Sequence, residues 1–276
     1  MRFPLLLAAL ALILPASAMA RPNLAVVSYW GQRVETFEQI PDHAVALINP
    51  SSGILAKGSV DTPVDNLGIY KDVFRRAKKH DIRLYGYVPT GYFKHDCDVD
   101  GRCQTWARVE AQVKAYFEQM PNLQGIFFDE TAPADYDCAL FGAEYDKLRA
   151  LVAKYRPGGK IIFNVGMPDT CAVAATSQGE MIVLFENDGQ HYVNDYKQIK
   201  AATDQAHSKG TQVWHIINNI PTDKELDAVL RASDVYAPDY LYVIDVSGDW
   251  QAGFDTYGGL PAYWQTEVKA LSHNEK

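Results

Sequence analysis

The chain alternates short, nearly continuous apolar runs with longer segments in which apolar residues recur every three or four positions. A continuous apolar run is typical of a strand covered on both faces, whereas the three- and four-residue spacing predicts a helix. Eight strands are predicted in this way: Leu24–Trp30, Ala44–Asn49, Arg83–Val88, Gly125–Asp129, Lys160–Val165, Met181–Glu186, Gln212–Asn218 and Tyr240–Asp245.

Amphipathic segments between these strands predict helical crossovers. Val109, Val113 and Phe117 share one such face, and Thr222 followed by Glu225 is a capping box that opens a later helix. Eight strands with mostly helical crossovers predict the α/β class, with a single-domain (β/α)8 TIM barrel. The alternative is a doubly wound open sheet, which usually carries a glycine-rich ligand-binding turn after an early strand, and the sequence has none.

The N-terminus has the composition of an export signal. Arg2 precedes the apolar run Phe3–Leu14, and Ala18-Met19-Ala20 is an A-x-A cleavage sequence. A membrane anchor is the alternative, but about twelve apolar residues are too few to span a ~30 Å hydrocarbon core. We therefore predict a signal peptide at residues 1–20, the barrel domain at 21–276, no membrane span in the mature chain, and a secreted or periplasmic location.

Length and charge narrow the class of protein. A (β/α)8 barrel typically takes ~250 residues, close to what remains after the leader. The net charge is −8 and becomes −9 once Arg2 is removed. An acidic exported protein is a poor candidate for binding nucleic acid or anionic lipid, and it suits a neutral or cationic polymer. Acidity that only aids solubility explains the charge equally well.

The chain has four cysteines, Cys97, Cys103, Cys138 and Cys171. In an exported protein this number suggests two disulfides. None of the four lies in a C-x-x-C pair and no nearby histidines complete a zinc set, so we predict neither a metal site nor a cofactor. We favour the pairs Cys97–Cys103 and Cys138–Cys171; the sequence leaves the other pairings open.

Carboxylates stand at the ends of the fourth and sixth predicted strands. Asp129 and Glu130 follow Phe127-Phe128, and Glu186 follows Val183-Leu184-Phe185. Catalytic groups of (β/α)8 barrels lie at the C-terminal ends of strands, and two even-numbered strands can point into the same layer. Glycoside hydrolysis needs two such carboxyl groups, of which one protonates the leaving oxygen and the other attacks the anomeric carbon or activates water. We predict Asp129, Glu130 and Glu186 as catalytic.

Alternatives remain open for each of these acids. Asp129 and Glu186 are also explained by salt bridges to a Lys or Arg of the barrel. Because neighbouring residues on a strand face opposite ways, Glu130 either turns inwards past the strand end or braces the following loop. Asp245, at the end of the eighth strand, either shapes the electrostatics of the site or caps the strand.

Polar and aromatic residues at the other strand ends predict a carbohydrate cleft, since flat aromatic faces stack on sugar rings. Each of them alone is also explained by packing; for His215, a packed strand-end position is the stronger single interpretation. Other catalytic schemes lack support, because the sequence has no G-x-S-x-G, no H-E-x-x-H and no P-loop. The predicted substrate-binding residues are Tyr29, Trp30, Asn49, Tyr87, Tyr92, Asn164, Trp214, His215 and Asp245.

The chain carries, in order, Ile48-Asn49-Pro50, Leu84–Tyr92 and Gly125–Glu130. Together these segments resemble the spherulin-4-like proteins of glycoside hydrolase family 135, which are related to the family 114 polygalactosaminidases. The resemblance implies a barrel that cleaves α-1,4-linked exopolysaccharide containing galactosamine or N-acetylgalactosamine. It places the family's acidic residues at Asp129, Glu130 and Glu186. The insertion with Cys97 and Cys103 departs from the family and bears on substrate preference.

We therefore predict an endo-acting, retaining glycosidase whose partner is a polysaccharide. Asp129 is the predicted nucleophile or stabiliser, Glu186 the general acid/base, and Glu130 a supporting residue. With an N-acetylated substrate, assistance by the acetamido group replaces the enzyme nucleophile and Asp129 orients the amide. Two rival hypotheses are a non-catalytic polysaccharide-binding or envelope protein on the same barrel, and a glycosidase that acts on a glucosamine polymer.

Overall fold

Eight parallel strands pair in sequence order and close into a barrel through β1 and β8, which confirms the predicted (β/α)8 fold. The structure is a computed structural model that describes residues 21–94, 104–133, 137–248 and 255–271. The predicted leader lies outside these residues. The strands are β1 Asn23–Val26, β2 Val45–Ile48, β3 Arg83–Pro89, β4 Gly125–Asp129, β5 Lys160–Asn164, β6 Met181–Asp188, β7 Gln212–Asn218 and β8 Tyr240–Val243.

Helices surround the barrel, and within the described residues none is both long and apolar enough to cross a bilayer. The first crossover contains the 3-10 helix Val34–Gln39, and another 3-10 helix, Leu67–Tyr70, leads into α1. The predicted capping box is confirmed, because Thr222 caps the helix before β8. The α-helices are α1 Lys71–Lys79, α2 Trp106–Gln119, α3 Cys138–Tyr155, α4 Thr170–Ala175, α5 Gly189–Asn194, α6 Tyr196–Ser208, α7 Asp223–Tyr236 and α8 Trp264–Leu271.

Aromatic side chains pack on both faces of the barrel wall. On the outer face, the Tyr145 ring of α3 stacks on Phe163 of β5 with 3.9 Å between ring centroids. Tyr116 of α2 lies against Gly86 of β3, where a Cβ would come within 2.7 Å of its ring. Any larger residue at position 86 would therefore push α2 off the sheet. Inside the barrel, Phe127 and Trp214 meet edge to face and fill the space below the strand ends.

A β-bulge in β6 decides which way Glu186 points. Val183 pairs with Trp214, but the pairing slips by one residue so that Phe185 pairs with His215 and Glu186 with Ile216. Paired residues of parallel strands face the same side, so the extra residue turns Phe185 outwards beside His215 and Glu186 inwards. Without the bulge, strict alternation from Val183 would direct Glu186 away from the barrel interior.

A disulfide joins α3 and α4, the helices that follow β4 and β5. Cys138, at the start of α3, bonds to Cys171 in α4, which confirms this predicted pair. The bond lies beside the end of the barrel where both strands finish. The other predicted pair, Cys97 and Cys103, lies outside the described residues.

Removing this disulfide should destabilise the protein without rearranging the barrel. For the 33-residue separation between Cys138 and Cys171, loop-closure entropy gives a loss of about 3–4 kcal/mol in the free energy of unfolding for the Cys138→Ser/Cys171→Ser variant. Urea unfolding followed by circular dichroism measures it. Unfolding of the variant with and without reductant measures any contribution of Cys97 and Cys103. An unfolding midpoint equal to that of the unaltered protein would contradict the prediction.

Candidate active site

A cleft of about 930 Å³ opens at the C-terminal ends of the strands. Its wall includes residues from β1 to β8 or from the loops that follow them, so the whole end of the barrel contributes. This is the face on which (β/α)8 barrels carry their active sites, and the volume lies in the range of ligand pockets. The geometry makes this cleft the candidate site.

Two carboxylates meet at the base of the cleft. Asp129 ends β4, Glu186 lies in β6, and Asn164 ends β5 between them. The Asn164 Nδ2 donates to Asp129 Oδ1 at 2.7 Å and to Glu186 Oε2 at 2.6 Å. One nitrogen with two acceptors limits the gap between those two oxygens to at most about 5.3 Å, the combined length of the two bonds. Asn164 therefore sets the spacing of the pair.

Neutral donors complete the hydrogen bonding of both carboxylates. The Tyr87 hydroxyl donates to Asp129 Oδ2 at 2.7 Å, and the Tyr257 hydroxyl donates to Glu186 Oε1 at 2.7 Å. The Tyr29 ring lies between the two phenols, 4.9 Å from the Tyr87 centroid and 5.6 Å from that of Tyr257. Among the described residues neither Asp129 nor Glu186 forms a salt bridge. The alternative that these two acids pair with a Lys or Arg of the barrel is therefore not supported.

Burial raises the pKa values of both acids, and the charges and hydrogen bonds around them separate the two values. Burial raises the pKa of Glu186 to about 7, and the negative charge of Asp129 adds to that rise, against the hydrogen bonds from Asn164 and Tyr257. Burial also raises the pKa of Asp129, but hydrogen bonds from Tyr87, the Glu130 amide and Asn164 stabilise its charged form. Asp129 therefore ionises first, and Glu186 keeps its proton to a higher pH. Two acids with separated pKa values can divide nucleophile and acid roles.

The three phenols around the pair stay neutral. They can donate hydrogen bonds but do not lose their protons. Burial and the nearby carboxylates raise the pKa values of Tyr29, Tyr87 and Tyr257 well above their usual range. Among the residues that the structure describes, no group of three or more His, Cys, Asp or Glu side chains could hold a metal ion. The two carboxyl groups of this site can transfer protons and act as nucleophiles.

Glu130 turns into the cleft and braces the loop after β3, whereas the alternative considered from the sequence was the loop that follows Glu130 itself. Strand β4 ends at Asp129, and Glu130 turns into the left-handed region with φ 59°. Its side chain lines the cleft, while its Oε2 accepts a hydrogen bond from the Gly91 amide at 2.9 Å. It therefore lies at the site and also braces the loop after β3.

The structure brings most of the predicted binding residues together in the cleft wall and places others elsewhere. Those that line the cleft are Tyr29, Asn49, Tyr87, Tyr92 and Asn164. Trp30, Trp214, His215 and Asp245 do not.

The prediction that these four residues bind substrate needs correction. A position near a strand end does not determine how deeply a side chain is buried or which face of the sheet it lies on. Trp30 is buried against Phe37, and Trp214 is buried inside the barrel. His215 faces the helices, where its Nδ1 meets the Tyr192 hydroxyl; burial lowers the pKa of His215 to about 3. Asp245 accepts a hydrogen bond from the Ala262 amide, in the segment before α8.

Tyr257, whose hydroxyl donates a hydrogen bond to Glu186, was not predicted from the sequence. Its neighbours Asp255 and Thr256 also line the cleft, as do Gln104 and Asn218. Tyr257 belongs to the long loop after β8, which has no periodic pattern. The usable signal was its location, since loops after barrel strands build the active face.

The fold and the site define a class: a (β/α)8 barrel whose open cleft holds two hydrogen-bonded carboxylates at its base. The model of the spherulation-specific family 4, Spherulin4, matches residues 12–271. The chain belongs to this family, which confirms the resemblance noted in the sequence. Spherulin-4 of Physarum polycephalum is 24% identical over 231 residues, which cover 82% of this chain and 61% of that protein. The chain thus spans about three fifths of the length of this relative.

Solved structures share the fold at low sequence identity. Aspergillus clavatus Sph3, crystallised in complex with GalNAc, matches with a TM-score of 0.62 and 20% identity over 91% of this chain and 98% of Sph3. A GH5-4 broad specificity endoglucanase from Bacteroides salanitronis matches with a TM-score of 0.54 and 10% identity over 91% and 92% of the two chains. At these identities the matches establish the architecture alone.

Proposed function

We propose that this protein is an exported, endo-acting glycoside hydrolase that cleaves an α-1,4-linked polysaccharide containing galactosamine or N-acetylgalactosamine. The observation that carries the proposal is the Asn164 bridge, which holds Asp129 and Glu186 oxygens within about 5.3 Å of each other at the base of the cleft. This upper limit applies to one oxygen of each carboxyl group. A pair held this closely favours a retaining mechanism, in which the groups lie ~5–5.5 Å apart, over inversion, which needs ~6.5–9.5 Å to accommodate a water.

The pKa order supports the following division of roles. Asp129, which ionises first, is the nucleophile, or it orients the acetamido group if the substrate supplies the nucleophile. Glu186, with its pKa raised to about 7, protonates the leaving oxygen and then deprotonates the incoming water. The neutral Tyr87 and Tyr257 hold the two carboxylates in place, and no cation of the described residues pairs with either one.

The choice of substrate has three supports. Sph3, a structural relative, was crystallised with GalNAc. The cleft is lined by Asp129, Glu130, Glu186 and Asp255, with Lys94 as the one basic side chain among its described lining residues. An acidic groove favours a polymer with some free amino groups. Its volume and its opening across the barrel end suit several sugar units and hence internal cleavage.

Product analysis on defined polymers tests the proposal. The purified protein is incubated with galactosamine, N-acetylgalactosamine and glucosamine polymers, and products are analysed by mass spectrometry and by NMR of the new anomeric centre. We expect internal cleavage of a galactosamine-based polymer with retained configuration. Binding without new reducing ends would favour the polysaccharide-binding protein, and cleavage of only the glucosamine polymer would favour the other rival.

Replacing Tyr257 by Phe should shift the alkaline limb of the pH–rate profile upwards. The Tyr257 hydroxyl stabilises the charged form of Glu186, so its loss raises the pKa of Glu186 further. A hydrogen bond to a charged group contributes ~1.5–3 kcal/mol, which corresponds to a shift of about one to two pH units. Activity that requires protonated Glu186 is present below this pKa and is lost above it, so the variant should stay active to higher pH.

Tyr263→Phe is the matched control for this variant. Tyr263 is also buried, but its hydroxyl has no partner among the described residues and it does not line the cleft. We expect its profile of kcat/KM against pH to match that of the unaltered protein. If the alkaline limb of Tyr257→Phe stayed at the same pH or moved to lower pH, Glu186 would not be the general acid.

A further inference from the structure

The loop after β8 completes the hydrogen bonding of a carboxyl group that belongs to another strand. Tyr257 lies in this loop, and its hydroxyl donates to Glu186 Oε1 of β6 at 2.7 Å, with β7 between the two strands. Asn218, at the end of β7, also bonds to this hydroxyl. The place of the Tyr257 backbone therefore decides whether the hydroxyl reaches Glu186.

The backbone around Tyr257 forms a compact turn from Asp255 to Gly258. The Asp255 Oδ1 accepts from the Tyr257 amide at 2.8 Å, and the Asp255 carbonyl accepts from the Gly258 amide at 3.2 Å. An aspartate that bonds to the backbone two residues on is a common way to build a local turn. These bonds set the shape of the turn, but both lie within it and cannot set its place on the barrel.

The contact that ties this turn to the barrel comes from the loop after β1. The Arg33 Nη2 donates to the Gly258 carbonyl. The neighbouring Gly259 carbonyl accepts from the Tyr242 hydroxyl, but at 3.5 Å that bond is long. A hydrogen bond from a charged guanidinium is also stronger than one from a neutral hydroxyl. Arg33 therefore provides the stronger of these two anchors.

The loop that carries Arg33 is itself firmly held. Trp30, just before it, is buried and packs against Phe37. The Arg33 amide donates to the Trp30 carbonyl at 3.0 Å, and the Tyr70 hydroxyl donates to the Gly31 carbonyl at 2.5 Å. Gly31 has φ 55°, a backbone conformation that glycine adopts without strain. A guanidinium on such a loop can hold the turn that it contacts in one place.

Arg33 is not among the described residues that line the cleft, so any effect on the reaction passes through other residues. Its contact leads from the loop after β1 to Gly258, one residue from Tyr257. We propose that Arg33 is a positioning residue, whose guanidinium holds the Asp255–Gly258 turn so that the Tyr257 hydroxyl meets Glu186. This inference rests on the proposed function, in which Glu186 is the general acid, and adds to it a residue outside the cleft.

Arg33→Met tests the inference, because it keeps the aliphatic stem and loses every donor. The Tyr257 bond stabilises the charged form of Glu186, so a displaced Tyr257 should raise the pKa of Glu186. We expect a rise of about half a pH unit or more, and no larger than that in Tyr257→Phe. NMR titration of isotope-labelled glutamate carboxyl groups measures it, and Glu186→Gln identifies the signal. The alkaline limb of kcat/KM against pH should move with it. An unchanged Glu186 titration in folded Arg33→Met would overturn the inference.

A double-mutant cycle shows whether Arg33 acts through Tyr257. In the Tyr257→Phe protein, Arg33→Met should move the Glu186 titration no further. A direct effect of the Arg33 charge on Glu186 would instead move the titration equally in both backgrounds, and such additive shifts would contradict the inference. Arg33→Lys keeps a charged donor on a long stem, so it should move the titration less than Arg33→Met does.

Arg75→Met is the matched control, since it removes the same charge from an exposed arginine. Arg75 lies on α1 and pairs there with Asp72. We expect its Glu186 titration to match that of the unaltered protein; a shift as large as that of Arg33→Met would assign the effect to net charge and overturn the inference. Thermal unfolding establishes that the variants fold. The titration needs no hydrolysis, so absence of cleavage by the unaltered protein is a separate failure, that of the proposed function.

Discussion

Asp129→Asn should lower turnover of the polymer by about 10³-fold or more, because it removes the charge that attacks or stabilises the anomeric centre. The change is nearly isosteric, and the side-chain oxygen can still accept from the Glu130 amide or from Asn164. The fold should therefore survive. Initial rates of reducing-end release measure the loss, and circular dichroism with thermal unfolding confirms that the barrel is intact.

Asp245→Asn is the matched control, as it makes the same change at another strand end. Asp245 lies outside the cleft lining and accepts from the Ala262 amide, a contact that an asparagine oxygen can keep. We expect turnover within about threefold of the unaltered protein, because no reacting group is touched. Near-normal turnover in Asp129→Asn would show that the Asp129 carboxylate is not the reactive one. A large loss in Asp245→Asn would show that the effect of such a change is not specific to the cleft.

The strand order and the end of the barrel that carries the site could be predicted because each depends on local patterns. Continuous apolar runs mark buried parallel strands, and Asp129 directly follows such a run. The direction of Glu186 could not be predicted in the same way. It depends on the bulge between Val183 and Phe185, and nothing in the run of apolar residues shows where a strand gains an extra residue.

The depth at which a side chain is buried and its long-range contacts could not be predicted from the sequence either. Trp214 and His215 are adjacent on β7, yet one fills the barrel interior and the other packs on the helices. Both lie too deep to reach a sugar. Asn164 was predicted as a substrate contact, and the structure adds that it joins Asp129 to Glu186. Such a bridge, like the bond from Tyr257, exists only after distant segments have folded together.

Replacing Glu186 by Gln should give a loss that depends on the leaving group. On the polymer, removal of the general acid lowers turnover by ~10²–10⁴-fold. A galactosaminide oligosaccharide with a dinitrophenyl leaving group needs no protonation, so release of the phenolate should fall much less. Asp129→Asn should lose activity on both substrates, because attack at the anomeric carbon is required in either case.

This comparison separates the two acids by chemistry and not by the size of the loss alone. In Glu186→Gln the alkaline limb near pH 7 should also vanish from the profile on the polymer, since the group that titrates there is gone. The geometry predicts no such change in Asp245→Asn, which leaves the pair intact. If Glu186→Gln lost equal activity on both substrates and kept the alkaline limb, Glu186 would not be the general acid. Either Asp129 and Glu186 would have the opposite roles, or Glu186 would take no part in proton transfer.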